Sequence, residues 1–211
     1  MKNDLIIDFE TMSPDANNCA VIDVAAMVFD WERFTSREPY TLKDIRNVTR
    51  FKLSVAEQVK NYNYVVTSDT LQFWSELPSE VRAKITPKKS DLSVEEFTKQ
   101  FMDYLNKAPK IDYWWSRSNT FDPIILARLF DSQGARNQIE NKLKYWKVRD
   151  LRTFIDAKLD FPKINGFCPF EDDDKWNKTF KQHDSSWDVF ADVLRLQAIA
   201  RAENDLEQVT L

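Results

Sequence analysis

Residues 5–10 read Leu5-Ile6-Ile7-Asp8-Phe9-Glu10: three apolar side chains, then two carboxylates separated by a phenylalanine. A short apolar run of this kind is most simply a core strand. On a strand, side chains at i and i+2 share a face, so Asp8 and Glu10 stand together while Phe9 points the other way. Paired carboxylates with no compensating base nearby are a usual way to hold hard divalent cations such as Mg²⁺ or Mn²⁺. Alone, the pattern is weak. Chance gives about one Asp-x-Glu in a chain of this composition, and the chain has three, at Asp8, Asp30 and Asp205. Only the first directly follows an apolar strand, and a polar strand end is the plain alternative.

Moving outward, residues 13–18 form a polar loop, residues 20–29 are apolar enough for a second strand, and residues 47–53 give a third. No helical pattern intervenes, which favours an antiparallel meander. After residue 67 the pattern turns helical. Ser68 is the expected cap of a helix carrying Leu71, Phe73, Trp74 and Leu77, which Pro78 ends. Ser93-Val94-Glu95-Glu96 is a capping box ahead of Phe97, Phe101, Tyr104 and Leu105 on one face. Residues 112–116 read as a strand. Asp122-Pro123 then opens a helix through Phe130, with Asp as N-cap and Pro at the first helical position. Residues 146–150 are expected as a short strand running into a helix over 151–159. Residues 160–182 lack periodicity and carry Asp172-Asp173-Asp174 between lysines, a long loop of the kind that is often functional. A last helix over 185–202 puts Trp187, Ala191, Leu194, Ala198 and Ala202 on one stripe. The expectation is one α/β domain, residues 1–211.

Composition narrows the chemistry. The 211 residues hold 30 Lys and Arg against 34 Asp and Glu, a formal net charge of −4. Nucleic-acid contact therefore needs a local basic groove rather than the net field. The basic runs at Arg82, Lys84, Lys88 and Lys89, and at Lys175, Lys178 and Lys181, could flank such a groove, but solvated faces are the better reading of each. Two glycines, Gly134 and Gly166, remove a P-loop and a dinucleotide fingerprint. One histidine and two distant cysteines, Cys19 and Cys168, remove zinc fingers, HExxH proteases and CxxC redox centres. Lone cysteines suit a reducing compartment. There is no signal-type h-region and no apolar run long enough for a membrane span, so a cytoplasmic protein without a membrane partner is expected.

Two further segments carry candidate chemistry. Asn119-Thr120-Phe121-Asp122 brings a third carboxylate after a strand, although an Asp before Pro serves a helix start without any metal. His183-Asp184-Ser185-Ser186-Trp187-Asp188 brings the single histidine just ahead of a helix whose first turn holds Asp188. A base on a loop beside a carboxylate suits activation of water; an exposed loop histidine is the plain alternative.

Taken in order, Asp8-Phe9-Glu10-Thr11-Met12, Thr70-Leu71-Gln72-Phe73-Trp74, Asn119-x-x-Asp122, Val148-Arg149-Asp150-Leu151-Arg152-Thr153 and His183-x₄-Asp188 resemble the DEDDh 3′→5′ exonucleases of the DnaQ-like, RNase H-like superfamily. The look is that of the phage exonuclease A type, which would place the chain in a host cytoplasm. The resemblance implies an RNase H-like mixed five-stranded sheet, with three antiparallel N-terminal strands, then parallel strands, flanked by helices. It implies that Asp8, Glu10, Asp122 and Asp188 ligate two Mg²⁺ (or Mn²⁺) ions that clamp the attacking and leaving oxygens, and that His183 is the general base. Phe9, Thr11 and Met12 would meet the terminal nucleotide, with Asn119 nearby. Trp74 is a candidate stacking platform that core packing explains as well, and Asp150 would support the site through Arg117 or Arg149. The expected activity removes nucleoside 5′-monophosphates from nucleic acid 3′ ends. Single-stranded DNA is favoured as partner and RNA is the alternative, since nothing in the sequence separates them. A catalytically silent nucleic-acid-binding module is the rival from another class, and the complete carboxylate set speaks against it.

Overall fold

The computed structural model describes residues 2–159, 180, 182–207 and 209. Most of the 160–182 loop, with its Asp172-Asp173-Asp174 run, Lys175, Lys178, Lys181 and Cys168, lies outside the described residues.

Strand β1 (Asn3–Thr11) is the middle of a five-stranded sheet of order β3-β2-β1-β4-β5. It pairs antiparallel with β2 (Val21–Asp30), which pairs antiparallel with β3 (Thr49–Lys52). On its other side β4 (Ile111–Ser116) and then β5 (Val148–Asp150) run parallel to it. The expected meander and the mixed sheet are both present. Parallel strands need helical crossovers, and helices cover both faces.

On one face Leu5, Ile7 and Phe9 pack with Trp114, with Phe97 and Phe101 of α5 (Val94–Lys107), and with Ile125 and Leu129 of α6 (Asp122–Asp131). On the other, Ile6 and Trp115 pack with Val189, Phe190 and Val193 of α9 (Ser185–Ala202) and with Leu151 and Ile155 of α8 (Leu151–Lys158). With both faces covered, the successive tryptophans 114 and 115 are each buried on opposite sides, and neither points away from a core. For the same reason α9 is enclosed nearly all round instead of presenting a single stripe.

The capping box at Ser93 forms as read: its Oγ accepts from the Glu96 N–H at 3.2 Å, and its own N–H donates to Glu96 Oε2 at 2.8 Å. Two caps fall one residue earlier than expected. Thr67, not Ser68, precedes α3 (Ser68–Glu76), and Phe121, not Asp122, precedes α6, so Asp122 occupies the first helical position. That shift frees the Asp122 carboxylate from capping. The short polar helices α1 (Trp31–Phe34), α2 (Val55–Tyr62), α4 (Ser79–Ile85) and α7 (Arg136–Lys142) were not legible as elements. No helix among the described residues is long and apolar enough to cross a membrane.

Candidate active site

Four carboxylates share one face of β1, at positions 4, 8, 10 and, across the sheet on β2, 23. They divide sharply. Asp4 is buried and satisfied, accepting from Trp31 Nε1 at 2.7 Å, Trp115 Nε1 at 2.8 Å and the Tyr113 N–H at 3.0 Å. Asp23 stands directly opposite Glu10 and is held by the Arg50 guanidinium of β3. Asp8 and Glu10 have no such partner among the described residues. A β-bulge between Glu10 and Thr11 ends the regular pairing at this point and re-aims the chain, as bulges beside sites commonly do.

The first turn of α9 completes the group. Ligand oxygens of Asp8, Glu10 and Asp188 lie within 4.8 Å of one another, each on a half-buried side chain. Asp122 approaches from α6 on the other side of β1 and lies outside that 4.8 Å group, though its charge is felt by Glu10 and it feels that of Asp8. Crowding like charges in a poorly solvated place favours the protonated forms. Burial, followed by the carboxylate of Asp192, pushes Asp8 up to about 7. Burial and then Asp8 push Asp188 up to about 9. Burial and then Asp8 also hold Glu10 and Asp122 well above the usual carboxylate range; the Phe9 backbone N–H pulls Asp122 the other way. Arg117, Arg152 and Arg195 offset this only in part, and two of them are bonded to Asp192. Arg117 donates to Asp192 Oδ1 at 2.6 Å and Arg195 donates to the same oxygen at 2.7 Å. An all-oxygen, under-neutralised cluster of this kind fits a hard divalent cation and little else.

His183 has a backbone φ of 62°, a left-handed conformation in which histidine is one of the more tolerated side chains. Its ring stands edge-on to Phe73, 4.9 Å between centroids, and burial lowers its pKa below the ordinary imidazole value. It stands outside the carboxylate group in this conformation. The next residue fixes the loop: Asp184 caps α9 by accepting from the Ser186 N–H at 3.2 Å and is ion-paired to Lys84 of α4.

The expected substrate residues separate into two kinds. Thr11 and Met12 are tied down by backbone bonds: Met12 N–H donates to the Ala20 carbonyl at 2.8 Å, and its own carbonyl accepts from Thr67 N–H at 2.9 Å. Trp74 is not an open platform. It is 4% exposed, packed on Ile22 and Val81, and its Nε1 donates to the Thr11 carbonyl at 3.0 Å. Phe73, 40% exposed and against His183, is the aromatic left facing solvent there. Asp150 bonds neither Arg117 nor Arg149. It caps α8 through the Thr153 N–H at 2.8 Å and accepts the Asn119 N–H at 3.1 Å, pinning the turn that leads to Asp122. Asp23 and Arg50 carried no role in the sequence reading, and Lys84 and Asp184 were named there without the pairing that joins them. A lone charged residue within the apolar run of β2 was the available signal for the first of these.

Solved structures share this architecture. Cell-death related nuclease 4 (CRN-4) superposes with a TM-score of 0.58 at 17% identity, over 97% of this chain and 64% of that one. Exonuclease I of E. coli with a dT13 oligonucleotide gives 0.58 at 17%, over 96% and 41%. Exonuclease I of Methylocaldum szegediense gives 0.60 at 12%, over 97% and 43%. The chain thus spans less than two thirds of CRN-4 and about two fifths of the exonuclease I chains. No curated protein sequence matches it. The sheet order, the helices on both faces and these likenesses define an RNase H-like fold. Residues 3–184 match the sequence profile of the Rv2179c-like 3′-5′ exoribonuclease domain, and the chain belongs to that family.

Proposed function

We propose that this chain is a metal-dependent 3′→5′ exonuclease that releases nucleoside 5′-monophosphates from single-stranded RNA. The observation that carries the reading is the convergence of Asp8, Glu10 and Asp188 within 4.8 Å, with Asp122 in electrostatic reach and the repulsion among them only partly offset by Arg117, Arg152 and Arg195. These four residues would hold two Mg²⁺ or Mn²⁺ ions, which supply charge stabilisation to both oxygens exchanged at phosphorus. His183 takes the proton of the attacking water; its lowered pKa keeps it in the basic form at neutral pH. The bulged turn at Thr11 and Met12 meets the terminal sugar and 3′-OH, with Phe73 beside the terminal base and Asn119 at the mouth.

The sequence reading put DNA first. Family membership over residues 3–184 moves RNA ahead, because the exonuclease I likenesses, some with bound oligodeoxynucleotides, carry the fold alone. Single-stranded DNA remains the second reading for those same complexes. The test is a set of matched oligonucleotides, RNA and DNA, each with a 3′-hydroxyl or a 3′-phosphate. Stepwise loss from the 3′-hydroxyl RNA, persistence of its 3′-phosphate twin and slower loss from DNA are expected. Faster loss from DNA would restore the DNA reading, and cleavage of a circular strand would overturn the exonuclease.

A further inference from the structure

Residues 141–149, Asn-Lys-Leu-Lys-Tyr-Trp-Lys-Val-Arg, hold four cations, two aromatics and no acid, in a chain whose net charge is −4. They form the end of α7, the 3-10 turn Tyr145–Lys147 and the start of β5. Elsewhere the aromatics of this protein are mostly buried, yet Tyr145 is 78% exposed and Trp146 is 59% exposed. Their rings are held edge-to-face at 5.0 Å, and Lys144 Nζ lies 5.7 Å from the Trp146 ring. Lys144 is further placed by a bond to Asn141 Oδ1 at 3.0 Å, and Arg149 lies 4.0 Å over Tyr113. Neither ring is needed by the core.

A groove of about 510 Å³ runs from Tyr145 and Val148 of this turn to Asn119 and Pro123, on the turn that leads to Asp122. At one end its walls are Asn119 and Ile124, on the turn and helix that carry Asp122; at the other they are Tyr145 and Val148. Of its two acids, Glu140 is paired with Arg136 at 2.7 Å, and the charge of Asp131 also bears on that guanidinium. Exposed aromatics interleaved with cations at the mouth of a groove suit a strand of nucleic acid, where bases stack on the rings and phosphates meet the cations.

We infer that this groove and the Tyr145–Trp146 platform bind the upstream nucleotides of the single-stranded RNA whose 3′ end lies at Asp8 and Asp188. The inference rests on the function proposed above and names where the rest of that substrate runs. It makes affinity a function of strand length: a strand of two or three nucleotides fills only the carboxylate end, whereas a longer one reaches the platform.

The test is fluorescence anisotropy with labelled 3-, 6- and 12-nucleotide RNAs in EDTA, where nothing is cleaved, so that binding is read independently of any nuclease activity. Tyr145→Ala/Trp146→Ala should weaken the 12-mer by about fivefold or more, the lower end of what one lost stacking contact is worth. The affinity gained between three and twelve nucleotides should shrink accordingly. Lys144→Gln/Lys147→Gln should lower the slope of log Kd against log salt by about 1.4, at roughly 0.7 per phosphate contact on a single strand. Tyr145 and Trp146 face solvent, Lys144 and Lys147 are half-buried, and an unchanged melting temperature verifies each variant's fold. Equal 12-mer binding by the wild type and both variants would overturn the inference. So would a change of oligomeric state in the aromatic variant with RNA binding intact, which would make the turn a protein-docking surface. Length-dependent binding in a protein that cleaves nothing would uphold the groove and sink the nuclease.

Discussion

Asp4 and Asp8 sit on the same face of the same strand, four residues apart, and are chemically opposite. Three N–H donors surround Asp4, whereas like charges surround Asp8. Replacing Asp8 with Asn should therefore abolish most turnover while raising the metal-free melting temperature at pH 8, because it removes a repelled charge from the cluster. It should also shrink the melting shift caused by Mn²⁺, which for a wild-type site at a hundredfold excess over Kd is worth about 2.7 kcal/mol. Paired thermal melts with and without Mn²⁺ check both statements. For His183→Ala the expectation is different: kcat falls by roughly 10²–10⁴-fold, the usual worth of a positioned base, and the Mn²⁺ shift stays. Because burial lowers the pKa of His183, the wild-type pH–rate curve should already be level near neutrality. A curve still rising steeply above pH 8 would remove His183 from that role. At this scale the pairing of Asp8 with Glu10 was legible from period-two geometry alone. The fate of Asp122 was not, since Asp before Pro reads as a cap and only the observed one-residue shift leaves its carboxylate for the cluster.

Elements act here by carrying charges to one place. The parallel pair β1 and β4 ends where the turn to α6 begins, the Asp150 cap pins that turn, and the Lys84–Asp184 pair anchors the start of α9. The buried Asp23–Arg50 pair braces β2 against β3 behind Glu10. Removing Arg50 leaves the fully buried Asp23 carboxylate unpaired, so Arg50→Ala should cost about 3–5 kcal/mol, with Asp23→Asn/Arg50→Ala recovering part of it; urea unfolding reads both. Long periodic elements such as α5, and the strands, could be read from the chain. Helices α2, α4 and α7 could not, because each is seven or eight residues with a mostly polar surface and only one buried side chain apiece. The enclosure of α9 was equally hidden: a stripe can be counted in one sequence segment, but α8, the 3-10 turn Leu42–Asn47 and α1 pack around it from distant positions.

Across the whole molecule, the carboxylates couple function to stability. In the unfolded chain Asp8 and Asp188 titrate near 3.8, while in the fold they titrate at about 7 and about 9. Between those limits the folded state binds more protons than the unfolded one, so metal-free stability is greatest at low pH and falls as pH rises toward 9. The melting temperature in EDTA should drop by about 3 °C or more from pH 6 to pH 9, and saturating Mg²⁺ should flatten that slope. A metal-free melting temperature that rises over this range would contradict the charge assignment. The fold, the ions and the strand polarity meet in one measurement. A 5′-labelled single-stranded RNA with a free 3′-OH is incubated with the wild type and with Asp188→Asn, in Mn²⁺ or EDTA, and both strand lengths and released mononucleotides are followed. The account predicts a ladder shortening one nucleotide at a time from the 3′ end, with 5′-monophosphates released by the wild type in Mn²⁺ alone. Shortening that survives EDTA or Asp188→Asn, or internal cuts without mononucleotide, would contradict it.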